Sequence, residues 1–276
     1  MTSFLVTNRS KESYEQRINT EPTGTQRCRR YSVKNFEAFV SEMYDGRSTD
    51  DVVQELFVCK ANKGEEFEDT LYGVLQEWIN WNERKGRNPN TIRVTFSNLR
   101  KYFFYRGIKT NVQDIGEFLR FSKIPKEEKH PLSNDEYSAI VNAFSKSPLC
   151  QSICLALGAS GMRLGELMNV KKKHLDLTAR RIKVKIPPHT KTRTGRTTFL
   201  TKEASEKIQK RLEKLGPEDY VFCKQSPLSG GENFRHALRR ILDRLELNER
   251  YESNNFYKIT THNFRAYFFT KAARKH

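Results

Sequence analysis

Cysteine is scarce in this chain of 276 residues, and none of its five cysteines stands in a CxxC pair. Cys28, Cys59, Cys150, Cys154 and Cys223 are too few and too scattered for a disulfide scaffold. No histidine lies at ligand spacing from a cysteine pair, which argues against a zinc site. Cys150 and Cys154 fall one helical turn apart in an apolar segment and read as buried thiols, so a reducing, cytoplasmic setting is expected. No apolar run approaches the length of a membrane span, and residues 1–10 lack the hydrophobic core of a signal peptide. Internal repeats and low-complexity stretches are absent. Acidic residues are in short supply. Against 50 Lys and Arg stand 33 Asp and Glu, leaving a formal charge of +17, and such an excess points to a polyanionic partner, most often nucleic acid.

What is present suffices for a core. Apolar residues make up 36% of the chain, with 18 Phe and 11 Tyr, and the length suits one large domain or two ordinary ones. Residues 1–48 are polar; the basic cluster Arg27, Arg29, Arg30 and Lys34 is either a flexible arm or part of a solvated tail, and the tail is the preferred reading. From about Thr49 the pattern turns helical. Leu71, Val74, Leu75, Trp78 and Ile79 recur on one helical face, Lys85-Gly86 ends that helix, and Asn88-Pro89 looks like the cap and first turn of the next. Ile92, Phe96, Leu99 and Phe103 form its stripe, Gly107 stops it, and a shorter helix is expected through Ile115 and Leu119.

The stretch 124–131, charged and holding Pro125 and Pro131, reads as a linker. Beyond it, Ser133 and Glu136 predict a capping box, and Leu149 to Leu157 a buried helix. Ile182, Val184 and Ile186 alternate with Arg181, Lys183 and Lys185 as in a half-buried strand. Thr197, Phe199 and Thr201 suggest a returning strand. Helical stripes resume at Ala204 to Leu215, at Phe234 to Leu245, and from His262 to the end. The expected fold is mostly α with a small antiparallel β-hairpin or sheet.

Three basic groups stand out. Arg163 follows Gly158-Ala159-Ser160-Gly161-Met162 at the end of an apolar segment, with Glu166 one turn on to pair with it or orient it. Taken alone this reads equally as a structural salt bridge. Lys191, with Arg193 and Arg196 after it, stands at the hairpin tip, where it is either a solvated basic turn or a mobile ammonium that reaches a phosphate. His189-Thr190-Lys191 also matches half of a phospholipase-D-type H-x-K site, but Arg196 stands where that site wants an aspartate. His262 and Arg265 are spaced i, i+3 on one face of a helix start that Thr260 and Thr261 can cap. The free N–H groups there suit an anion.

In this order, G-x-R-x-G-E-L, a basic hairpin with Lys, then H-x-x-R, the sequence resembles the tyrosine recombinase (phage-integrase-type) family over about Asp69 to Lys275. Leu75 to Gly107 is similar to that family's helical core-binding domain. The hairpin, with Thr190-Lys191-Thr192 leading into Arg196-Thr197-Thr198-Phe199-Leu200, looks closest to archaeal and archaeal-virus members. The resemblance implies a helical, DNA-binding domain at 49–123, a linker at 124–131 and a mixed catalytic domain at 132–276, the two domains clasping duplex DNA as a C-shaped clamp. It implies site-specific DNA cleavage and rejoining through a 3′-phosphotyrosine. Arg163 and Arg265 would clamp the scissile phosphate, Lys191 would protonate the leaving 5′-hydroxyl, and His262 would act in proton transfer or phosphate binding. Glu166 would support them, and Arg93, Arg100, Lys101, Arg193 and Arg196 would contact DNA. No cofactor or metal is implied, and self-association into a tetramer on DNA is.

One departure matters. In the family a second His (or Trp) and the nucleophilic Tyr follow H-x-x-R, whereas only eleven residues follow Arg265 here. Tyr267 reads as helix packing, Tyr251 and Tyr257 precede the motif, and His276 comes too early. A chain lacking the nucleophile is therefore expected, inactive by itself in strand cleavage. The alternative is a non-catalytic DNA-binding protein that occupies recombination sites and regulates a full-length integrase. A topoisomerase of the same chemistry is a lesser alternative for so short a chain.

Overall fold

The computed structural model describes residues 9–62, 64–123, 127–179, 181–187 and 195–273. The chain divides into two compact units, residues 1–125 and 126–276. No described helix is long and apolar enough to cross a membrane.

The first unit is helical: α1 (Lys11–Ile18), α2 (Thr23–Met43), α3 (Thr49–Asn62), α4 (Gly64–Arg84), α5 (Pro89–Tyr105) and α6 (Val112–Phe118). Its stops follow backbone chemistry. Gly86 and Gly107 take φ of +69° and +90°, which ends α4 and α5 where a side chain would be strained. The Asn88 side chain accepts from the Asn90 N–H (2.9 Å), and Pro89 fills the first turn of α5. The stripes of α4 and α5 meet in one core with Trp78, Leu99 and Phe103 fully buried.

That core also takes Tyr14 and Ile18 from α1 and Val33, Phe36, Phe39 and Val40 from α2. The solvated tail expected over residues 1–48 is thus corrected to two helices that carry part of the core. The spacing 33, 36, 40 is an amphipathic stripe, but the charged face opposite it lowers the mean hydropathy and hides it. From α2, Arg29 pairs with Glu21 just before the helix (3.1 Å), and Arg30 donates to Gln26 one turn back (3.1 Å). A buried polar knot fixes α2 against α4: Trp78 Nε1 donates to Asn35 Oδ1 (2.8 Å), and Asn35 Nδ2 to Asn82 Oδ1 (3.1 Å).

The second unit is built on α8 (Pro148–Ser160), an apolar helix preceded by α7 (Asn134–Ala143) and followed by α9 (Leu164–Met168), α10 (Lys202–Leu212), α11 (Pro227–Arg244) and α12 (Thr261–Ala273). Helices α10 and α12 cover α8, while α11 packs on α9. The capping box of Ser133 and Glu136 opens α7. Cys154 is buried in α8 and Cys150 only half-buried; all five cysteines are free. A three-stranded antiparallel sheet lies beside the helices, in the order β1 (Leu175–Asp176), β2 (Lys183–Ile186), β3 (Arg196–Phe199). β1 is two residues long, too short to show alternation in the sequence. Ile186 pairs with Arg196, and Thr198 Oγ1 donates to the Ser160 carbonyl (3.0 Å), which ties β3 to the end of α8. The fold is mostly helical with a small antiparallel sheet.

Candidate active site

The site starts where α8 stops. Gly161 takes a left-handed conformation (φ +62°), and the chain turns out of the helix into Arg163, which caps α9. The Glu166 carboxylate reaches back to the Arg163 N–H (2.9 Å) and also accepts from the Arg163 guanidinium (2.9 Å). Its other partner is Arg196 from β3, whose two terminal nitrogens lie 2.5 and 3.3 Å from the carboxylate oxygens, a forked contact. The Glu166 side chain is only 4% exposed. Burial pushes its carboxyl up, but the hydrogen bonds from the Arg163 backbone, Arg196 and Arg163 outweigh it, and the group sits below its ordinary range.

Arg265, on α12, donates to the Gly161 carbonyl and lies over the Phe269 ring (4.9 Å). Burial, then the charges of Arg163 and Arg196, press its guanidinium below its ordinary value, and Glu166 opposes them. Three guanidinium groups therefore share one neighbourhood around one carboxylate, which leaves an excess of positive charge.

His262 stands on the first turn of α12. Its N–H donates to Thr260 Oγ1 (3.3 Å), and the Asn263 side chain accepts from the Thr260 N–H (2.8 Å) and hydroxyl (2.9 Å). The side chain is exposed and lines, with Arg163 and Glu166, a cavity of about 720 Å³. An exposed imidazole and a helix N-terminus facing arginines can bind a phosphate and exchange a proton with it.

Of the residues singled out in the sequence, Arg163, Glu166, Arg196, His262 and Arg265 come together. Lys191 and Arg193 lie outside the described residues. Arg100 donates to Thr110 Oγ1 (2.9 Å). With Lys101 it lines a cavity of about 830 Å³ in the first unit, together with Arg9, Arg17, Arg29 and Lys109. Arg93 is placed differently: it donates to the Ser122 carbonyl (3.2 Å) and sits over the Phe121 ring (4.8 Å).

Sequence reasoning passed over Lys171, Lys173, His174 and Arg235, which line the Arg163 cavity. Both lysines bond Glu218, at 3.0 and 2.7 Å. His174 Nδ1 accepts from the Lys171 N–H (3.1 Å), and burial and the two lysines lower its pKa, in keeping with a neutral ring. The run of three lysines before His174 was a visible signal. Tyr220 lines the same cavity under the Lys171 ammonium (5.4 Å).

The phage integrase family matches residues 118–276. No curated protein is similar to the chain in sequence. Among solved structures, the chain is similar to a lambda integrase (75–356) dimer bound to a COC′ core site, with 17% identity, a TM-score of 0.62, and coverage of 96% of this chain and 88% of that one. It is also similar to the Tn1549 transposon integrase in complex with transposon right end DNA, with 14% identity, a TM-score of 0.55, and coverage of 88% and 87%. At such identities the likeness concerns the fold.

Proposed function

The chain belongs to the phage integrase family, and from that premise we propose that it acts on duplex DNA as a site-specific recombinase of the tyrosine type. The observation that carries this reading is that Arg163 and Arg196 converge on Glu166, with Arg265 held nearby on the Gly161 carbonyl, beside the cavity that His262 lines. Phosphoryl transfer needs its non-bridging oxygens neutralised, and two arginine forks do this bidentately. Arg163 and Arg265 clamp the scissile phosphate, His262 binds it or moves a proton, and Lys191 protonates the 5′-oxygen that leaves. A tyrosine attacks the phosphorus and forms the 3′-phosphotyrosyl bond, which keeps the phosphodiester energy for rejoining. Arg196 supports the clamp through Glu166, and Arg100 and Lys101 hold backbone phosphates from the first unit. The acting form is a DNA-bound tetramer.

None of the eleven tyrosines is the nucleophile in this reading. Tyr267, nearest to the H-x-x-R motif, is stacked on Tyr137 (4.5 Å between ring centres) and donates to Asn134 (3.0 Å). That engagement favours a second reading, a DNA-binding protein that occupies recombination sites and regulates a full-length integrase.

The test uses a suicide-nicked duplex carrying a site to which the chain binds. The chain is incubated alone, and then with an integrase variant that keeps its tyrosine and has lost its first arginine. The recombinase reading expects an adduct on the partner, seen only in the mixture. An adduct on this chain alone would overturn the tyrosine assignment, and loss of that adduct in Tyr220→Phe would point to the tyrosine in the cavity. No adduct in either arm, with binding intact, selects the regulator.

A further inference from the structure

Next to the Arg163 cavity lies another of about 460 Å³, and the two share Arg235, Thr261 and His262 as lining residues. Helix α11 supplies Arg235 and Arg239, one turn apart and both exposed, and the segment between α11 and α12 supplies Arg250, Phe256 and Tyr257. Among the described residues, no acidic one lines this cavity. Among the described residues, none of the three arginines is ion-paired to a carboxylate. Arg250 lies on the Tyr257 ring at 4.1 Å, and Arg239 approaches the same ring at 5.6 Å. An aromatic face attracts cations but carries no net charge, so the three positive charges stay uncompensated. Gathered in a concavity, they focus a positive potential that an anion would relieve.

The segment that carries Arg250 is prearranged. Arg250 and Tyr257 form an antiparallel bridge. Inside it the Tyr251 N–H donates to the Phe256 carbonyl (2.9 Å), and the Asn255 N–H to the Tyr251 carbonyl (2.9 Å). Asn255 takes φ +56°, which asparagine tolerates better than most residues. Arg250 donates to the Asn255 carbonyl (3.1 Å) and the Tyr257 hydroxyl (2.8 Å). The small hairpin holds Phe256 out, 63% exposed, at the rim of the arginine cavity. Fixed guanidinium groups beside an exposed aromatic ring suit a nucleotide, which offers a phosphate to the one and a sugar and base to the other.

We propose that Arg239, Arg250 and Phe256 form a backbone subsite for the nucleotide next to the phosphate held by Arg163 and Arg265. The two guanidinium groups take its phosphate, and Phe256 packs on its sugar and base. The strand passes from one cavity to the other across His262, so the scissile phosphodiester is held from its neighbour as well as directly. That second hold fixes its orientation for in-line attack. The inference rests on the recombinase reading.

The test is binding of the full chain to a fluorescent duplex across a salt series. Each lost phosphate contact lowers the slope of log K against log salt by about 0.9. R239Q, which leaves the hairpin's hydrogen bonds in place, is expected to lose about that much, as is R250Q. F256S is expected to bind about five-fold more weakly or worse at every salt concentration with the slope unchanged. R240Q, on α11 but outside the cavity, keeps the parent slope. If R239Q and F256S bind like the parent while R163Q lowers the slope, the subsite is wrong and the recombinase reading stands. Equal losses in R239Q and R240Q overturn the subsite in favour of diffuse surface charge. A parent chain that does not bind duplex DNA, or an R163Q variant with an unchanged slope, overturns both.

Discussion

The guanidinium of Arg265 donates to the backbone carbonyl of Gly161, 104 positions earlier in the chain. Both ends of that contact depend on a residue without a side chain. Gly161 sits at φ +62°, and a Cβ built there would lie 2.5 Å from Cδ1 of Phe268 on α12. Gly161→Ala therefore adds backbone strain to overpacking, together about 2–4 kcal/mol. It also pushes α12 away, so duplex binding falls along with the melting temperature. A variant that melts like the parent and binds DNA equally well would show that α12 does not depend on this contact.

Glu166 gives the site a pH dependence. Its folded-state pKa is depressed, so its stabilisation is complete well above the unfolded value of about 4.3 and is lost as pH falls through the folded value. Glu166→Ala leaves Arg163 and Arg196 facing each other without their carboxylate. The cost at pH 7 is nearer the low end of about 3–5 kcal/mol, because both guanidinium groups are about a third exposed. Urea unfolding of parent and variant should show that gap at pH 7 and a narrowing below about pH 4. A gap that does not vary with pH would assign the loss to packing.

Tyr267→Phe separates packing from chemistry. The variant keeps the ring stack on Tyr137 and loses one hydrogen bond to Asn134, about 0.5–1.5 kcal/mol. Burial raises the pKa of this phenol, which disfavours the phenolate a nucleophile needs. Thermal unfolding should fall slightly and duplex binding should stay as it was. An adduct formed by the parent and abolished in this variant would make Tyr267 the nucleophile.

Phe36→Ala tests the first unit. Phe36 is fully buried between α2 and α5, edge-on to Phe103 at 5.1 Å. Truncation should cost about 3–5 kcal/mol. A solvated tail would give no change, so chemical denaturation of this one variant decides whether residues 11–43 carry the core.

The sequence was most legible where a local rule left a local mark. Gly86, Gly107, Asn88-Pro89 and the Ser133–Glu136 box all state their role within four residues, and the structure places a stop or a cap at each. The stripe of α2 was harder to read, because four basic residues and a core asparagine interrupt it. Asn35 makes sense only once Asn82 and Trp78 are brought beside it, 47 and 43 positions away. The site was legible as an order of motifs. That Arg196 forks onto Glu166 was not, because a charged residue at the start of a returning strand carries no trace of a partner 30 positions earlier. The approach of Arg239 and Arg250 to one ring, through a hairpin without strand-like alternation, left no periodic signal either.

The packing of α12 on α8 has a consequence for synthesis. The apolar residues of α8 leave the ribosome roughly a hundred residues before the helix that covers one of their sides. At about 5–20 residues per second, that face waits on the order of 5–20 s for its partner. During that interval α7, α9, β3 and α10, which also pack on α8, can shield other sides of Ile153 to Leu157, but the side that α12 covers stays open. The ribosome therefore releases Arg163 and Arg265 at different times, and the two come together only when α12 docks.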